Sequence, residues 1–209
     1  MKKITVAALL ASVMLLCSTA GAVQISSFTD YTSEIQGTWA EPHIETLVSK
    51  GGIKGYDDGT FRPKAEITTA ELVSIILNTA GKQADTANWP TGVMTQASEL
   101  GLIDASMIAE GNRALSREKA AYILVNAASN LLGEDVSKVT LIDTGRIPDL
   151  NKASKQYQGD IRFAYSLGLI TGGADGTFNP SASTTRAETC VIVNRLFQFA
   201  ARVDPTAQS

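Results

Sequence analysis

Cysteine, histidine and aromatic residues are scarce here: two Cys, one His and two Trp in 209 residues. The first 22 residues read as a secretory leader, with Lys2 and Lys3 leading an apolar run, Ile4 to Cys17, and Ala20-Gly21-Ala22 at its end. That run is shorter than the ~20 apolar residues a spanning helix needs, and no later segment is apolar enough to cross a bilayer. Cys17 leaves with the leader; Leu16 before it stands where lipid attachment would want a small residue. Cys190 is then the sole cysteine, so no internal disulfide forms. His43 stands alone, with no His/Cys metal cluster and no Gly-x-Ser-x-Gly elbow, which argues against an enzyme. Excess positive charge is absent too. Without Lys2 and Lys3, 16 basic residues face 21 acidic ones, a net charge near −5, which argues against nonspecific binding to nucleic acid or anionic lipid. About 185 residues suffice for one or two apolar cores.

What the chain does contain is repetition. GYDDGTFRPKAEITTAE, Gly55 to Glu71, returns as GGADGTFNPSASTTRAE, Gly172 to Glu188, 117 positions later. Both hold Asp-Gly-Thr-Phe, a Pro two residues after the Phe, and a closing Thr-x-Ala-Glu. A shorter copy lies between. Leu100-Gly101-Leu102-Ile103 nearly repeats Leu167-Gly168-Leu169-Ile170, and Trp89 lies 12 residues before Gly101, as Trp39 does before Gly51. This middle copy has lost Asp-Gly-Thr-Phe, and Leu115-Ser116-Arg117-Glu118-Lys119 stands where Ile-Thr-x-Ala-Glu is due. The expected organisation is a leader at 1–22, repeats at 23–80, 81–132 and 133–202, and a tail at 203–209.

Each repeat reads as helix, turn, helix. Ile44, Leu47 and Val48 have helical spacing in the first helix; Gly51, Gly101 and Gly168 sit where a helix closes on a left-handed residue. Asp58-Gly59 and Asp175-Gly176 predict tight turns, with Phe61 and Phe178 plugged into the core. Thr68/Glu71 and Thr185/Glu188 form capping boxes; Ser116 keeps the cap in the middle copy, but Lys119 replaces the reciprocal Glu. A cation there opposes the helix dipole, so Lys119→Glu is expected to stabilise by about 0.5–1 kcal/mol. Leu72, Ile75, Ile76, Leu124, Ile192 and Val193 fall on equivalent faces and are expected to share one core, and Cys190 to be an inert core thiol.

The motifs Trp39-Ala40, Gly55-Tyr56-Asp57-Asp58-Gly59-Thr60-Phe61-Arg62-Pro63, Ile67-Thr68-Thr69-Ala70-Glu71 and Thr184-Thr185-Arg186-Ala187-Glu188 resemble the S-layer homology family. The resemblance implies an all-α fold: three repeats in a pseudo-threefold prism around a central three-helix bundle. It also implies a non-catalytic, cofactor-free monomer at the cell surface. Grooves between its repeats would bind cell-wall polysaccharide, often a pyruvylated secondary polymer. The candidate polymer-binding residues are Arg186, Arg117, Trp39, Trp89, Glu188 and Glu71. An arginine fork suits a pyruvyl carboxylate, and the arginine side chains are expected to point outward. Trp offers a flat face to a sugar ring, though Trp39 and Trp89 can equally be packing residues, and capping alone explains both glutamates. Departures are scattered: Thr69 replaces the motif arginine in repeat one, Lys119 the glutamate in repeat two, and Gln156 the tryptophan in repeat three. Repeat three, with Arg186 beside an intact Thr185/Glu188 cap, is the best-equipped unit, and Thr69→Arg is expected to strengthen binding if anything.

Other classes fit less well. Calcium loops need acids two apart leading to the Gly, and Lys54 and Tyr56 occupy those places before Asp58-Gly59. A structural subunit of a surface lattice, or a peptidoglycan-binding tether of an outer envelope, are the remaining alternatives.

Overall fold

The computed structural model describes residues 23–173 and 175–205. The expected leader and the last four residues lie outside them. Among the described residues the regular structure is helical, with no strand. Helices α2 (Thr69–Thr79) and α6 (Arg186–Phe197) begin on the expected capping boxes. Thr68 Oγ1 accepts from Glu71 N at 3.3 Å while the Glu71 carboxylate accepts from Thr68 N at 2.7 Å. Thr185 and Glu188 repeat this at 3.3 and 2.8 Å. Helix α4 (Arg117–Asn126) starts on Ser116 alone, whose Oγ accepts from Lys119 N at 3.4 Å.

The other three helices, α1 (Glu41–Ser49), α3 (Thr91–Glu99) and α5 (Gln158–Ser166), have no side-chain N-cap but end alike. Gly51, Gly101 and Gly168 take φ of +69°, +68° and +68°. The next amide in each copy then donates back to the carbonyl of Leu47, Ala97 or Ala164 at 2.8–2.9 Å. This is the left-handed stop expected at these glycines.

Each first helix packs against the capped helix of the preceding repeat: α3 on α2, α5 on α4, and α1 on α6, which closes the circle from last to first. The circle is also drawn in backbone hydrogen bonds. Leu115 N donates to Ile67 O at 2.8 Å, Thr184 N to Leu115 O at 2.9 Å, and Ile67 N to Thr184 O at 3.0 Å. These residues immediately precede the capped helices, and α2 meets both α4 and α6. Leu72, Ile75, Ile76, Leu124, Ile192 and Val193 are all buried in one continuous core, which Cys190 joins. Burial pushes the Cys190 thiol up to about 12, which keeps it protonated and unreactive.

The two Asp-Gly-Thr-Phe turns are built alike. Asp58 Oδ1 accepts from Thr60 N and Oγ1 at 3.0 and 2.6 Å; Asp175 Oδ1 does the same with Thr177 at 3.0 and 2.8 Å. The Thr60 hydroxyl and amide, with Arg62, hold the Asp58 carboxyl down at about 2. These oxygens are engaged in the turn, as the turn reading requires. Phe61 and Phe178 are fully buried. A second carboxylate braces each turn from outside its motif. Asp30 accepts from Phe61 N and Arg62 N at 2.9 and 2.8 Å, and Asp149 from Phe178 N and Asn179 N, both at 2.8 Å. Arg62 and Asn179 adopt left-handed φ of 57° and 56°, which aims these consecutive amides at one acceptor.

Candidate functional site

The six candidate residues gather in two grooves, and each groove draws on all three repeats. The larger, about 560 Å³, is lined by Trp39 from the first repeat, Arg117 from the second and Glu188 from the third. The smaller, about 270 Å³, is lined by Glu71 from the first, Trp89 from the second and Arg186 from the third. The interleaved packing makes this necessary, because α2 and α6 each face a tryptophan from one neighbour and an arginine from the other. Completeness within repeat three is therefore not what equips a groove. Arg186 and Glu188, adjacent in one motif, serve different ones.

The tryptophans are open to solvent, Trp39 at 63% and Trp89 at 44% exposure. Both grooves thus present an open aromatic face. The arginines correct an expectation. Arg186 is buried rather than outward-pointing, at 5% exposure. Its Nε donates to Phe61 O at 2.9 Å and its Nη2 to Lys54 O at 2.8 Å, with the guanidinium stacked over the Tyr56 and Phe61 rings. Arg117 copies this one unit on: Nε to Phe178 O at 2.7 Å, Nη2 to Thr171 O at 2.6 Å. Each fork therefore grips the Asp-Gly-Thr-Phe turn of the following repeat. The physical reason is proximity: each turn lays its carbonyls across the start of the preceding repeat's capped helix.

The scattered departures also meet at one place. Thr69, at the arginine position, is fully buried; its N donates to Arg113 O at 3.1 Å, beside the Ala105–Glu110 turn that replaces Asp-Gly-Thr-Phe. Here the motif arginine has no turn of that type to grip. Lys119 pairs with Glu110 of the same segment, both half-buried. Tyr157, next to Gln156, packs its ring on Tyr122 at 5.6 Å and lies within reach of both those charges. The third inter-repeat position lacks Arg, Glu and Trp together, and beside it lies an ion pair formed within the second repeat. Lys119 is thus a partner to Glu110 and not only a missing cap residue.

Groups that could have supported chemistry are engaged otherwise. His43 Nδ1 lies 2.8 Å from Asn194 Nδ2, and burial, with Arg195 nearby, holds its pKa below the ordinary imidazole value. Among the described residues no cluster of His, Cys, Asp and Glu could hold a metal ion. Nor is any described helix long and apolar enough to cross a membrane.

A closed ring of interlocked helical repeats with two aromatic-walled grooves defines a binding module built from internal duplication. Residues 27–73 and 146–190 match the S-layer homology domain, and these two segments belong to that family. It is similar to the cellulosome-anchoring protein of Acetivibrio thermocellus, 60% identical over 43 residues, 21% of this chain and 10% of that protein. It resembles the surface-layer 125 kDa protein of Lysinibacillus sphaericus at 28% identity over 206 residues, 92% of this chain and 16% of that one. The outer membrane protein SlpA of Deinococcus radiodurans matches at 36% over 75 residues, 36% of this chain and 6% of that protein. The chain spans 16% or less of the length of these three relatives.

Proposed function

We propose that the chain is a non-catalytic module of the bacterial cell surface that attaches to cell-wall polysaccharide through the two grooves. The polymer we assign is a secondary wall polymer carrying pyruvyl groups. The observation that carries this reading is the pair of exposed tryptophans, Trp39 and Trp89, each set in a groove beside a capping glutamate and an arginine-braced turn. Large aromatic faces left open to water favour apolar sugar faces. Arg117 and Arg186 support the site by fixing the turns that wall it, and Glu71 and Glu188 by holding the helix starts. Three repeats, with boundaries near 80 and 132, supply these parts to one monomeric ring. The names of the anchoring and surface-layer relatives point the same way.

The test is a pull-down of residues 23–209 on purified cell walls, before and after extraction of the secondary polymer. Binding lost on extraction supports the proposal. A second reading, a peptidoglycan-binding tether of an outer envelope, draws on the likeness to the outer membrane protein SlpA. Binding that survives extraction favours it; no binding to either wall preparation overturns both.

A further inference from the structure

The internal repeats provide a control for every groove-lining position. Seven residues after Glu71, Lys119 and Glu188, on the same helix face, stand Asn78 in α2, Asn126 in α4 and Arg195 in α6. Both amides are tied to backbone: Asn78 Oδ1 accepts from Ala84 N at 3.1 Å, and Asn126 Nδ2 donates to Leu102 O at 3.3 Å. Arg195 is different. It is half-buried in the wall of the larger groove, and among the described residues no hydrogen bond or ion pair engages its guanidinium. Arg117, the other arginine there, already gives Nε and Nη2 to carbonyls, and the Glu188 carboxylate is held in its cap.

A guanidinium that only covered apolar surface with its stem would carry its head out into water. Arg195 lines the groove, and burial pulls its pKa below the usual arginine value while leaving it charged. A half-buried fork with no ion-pair partner among the described residues is suited to a planar or tetrahedral oxyanion, which it meets with two parallel N–H donors.

We propose that Arg195 is the anion-recognising residue of the larger groove, taking a carboxylate or phosphate borne on a sugar that stacks on Trp39. The smaller groove, with Asn78 at this position, lacks that selectivity from its helix. This rests on the wall-polysaccharide reading above and assigns the ligand's charge to a residue outside the repeat motif.

The experiment compares wall binding by wild type, Trp89→Ala (which leaves the larger groove to carry attachment), and Trp89→Ala combined with Arg195→Gln or Arg195→Lys. Thermal melts confirm that each variant is folded. Losing a bidentate charged contact is expected to weaken binding about tenfold in the Gln variant, with partial recovery in the Lys variant. Glucuronic acid, glucose 6-phosphate and glucose serve as soluble competitors. Preferential displacement by the first assigns the anion as carboxylate, and by the second as phosphate. If Trp89→Ala binds and adding Arg195→Gln changes nothing, Arg195 is not the anion contact, while the wall reading stands. Equal competition by all three sugars, or loss of all binding in Trp89→Ala alone, overturns the proposal as well. Failure of wild type to bind walls removes both readings.

Discussion

Replacing Arg186 with Ala tests whether the motif arginine is a brace between repeats. The side chain is 5% exposed and delivers two charged hydrogen bonds to carbonyls. Lys54 is exposed, so its carbonyl regains water in the variant. Phe61 is fully buried, so its carbonyl is left with a desolvation cost of about 1–3 kcal/mol. Loss of the stem's packing over Tyr56 and Phe61 adds about 1 kcal/mol. The expected destabilisation is about 3 kcal/mol, or a fall in melting temperature of roughly 6–12 °C for a domain of this size. Arg186→Lys recovers part, since one ammonium cannot span both acceptors as the fork does. Arg117→Ala follows the same course with a smaller loss, because Arg117 is less buried. Melts followed by circular dichroism decide the matter. An Arg186→Ala midpoint within about 2 °C of wild type refutes the brace.

Three further outcomes are expected. Lys119→Glu is now expected to lower the melting temperature, because it opposes Glu110 with a second carboxylate; combining it with Glu110→Lys is expected to exceed either single variant, completing the cap and restoring the pair. Thr69→Val is expected to stabilise by up to about 1 kcal/mol, since Thr69 Oγ1 is buried without a partner. Thr69→Arg destabilises for want of space and of acceptor carbonyls, with both variants read in urea melts. His43, its native pKa held below the unfolded value, contributes stability that is present above about pH 6.5 and lost as pH falls toward the native pKa; His43→Gln is expected to flatten melting temperature against pH between 7.5 and 5.

The features legible in the sequence are those whose partners lie close along the chain. Thr68 and Glu71 cap within one turn, Gly51 closes a helix a residue or two away, and Asp58 and Thr60 form their turn locally. The all-α repeat architecture follows from stacking such units. What stayed hidden depends on backbone acceptors far off in sequence. The carbonyls that hold Arg186 lie 125 and 132 residues away, and a carbonyl has no residue type to betray it. Asp30 and Asp149 went unnoticed for the same reason, since their partners are amides; an apolar-x-Asp triplet, Phe28-Thr29-Asp30 and Ile147-Pro148-Asp149, was the available signal. Grouping residues by repeat hid the grooves, because each groove is assembled across repeats. The departures at Thr69, Lys119 and Gln156 looked like three separate blemishes and fall at one inter-repeat position.

The most direct test of that arrangement is wall binding by Trp39→Ala, Trp89→Ala, the double variant, and Gln156→Ala. Both tryptophans are well exposed, so their truncation leaves the fold intact, and Gln156 is an exposed residue at the third position. Removing one stacking face is expected to weaken attachment about tenfold through the affected groove, and removing both to abolish it, with Gln156→Ala unchanged. A folded double variant that binds walls as tightly as wild type contradicts the two-groove account.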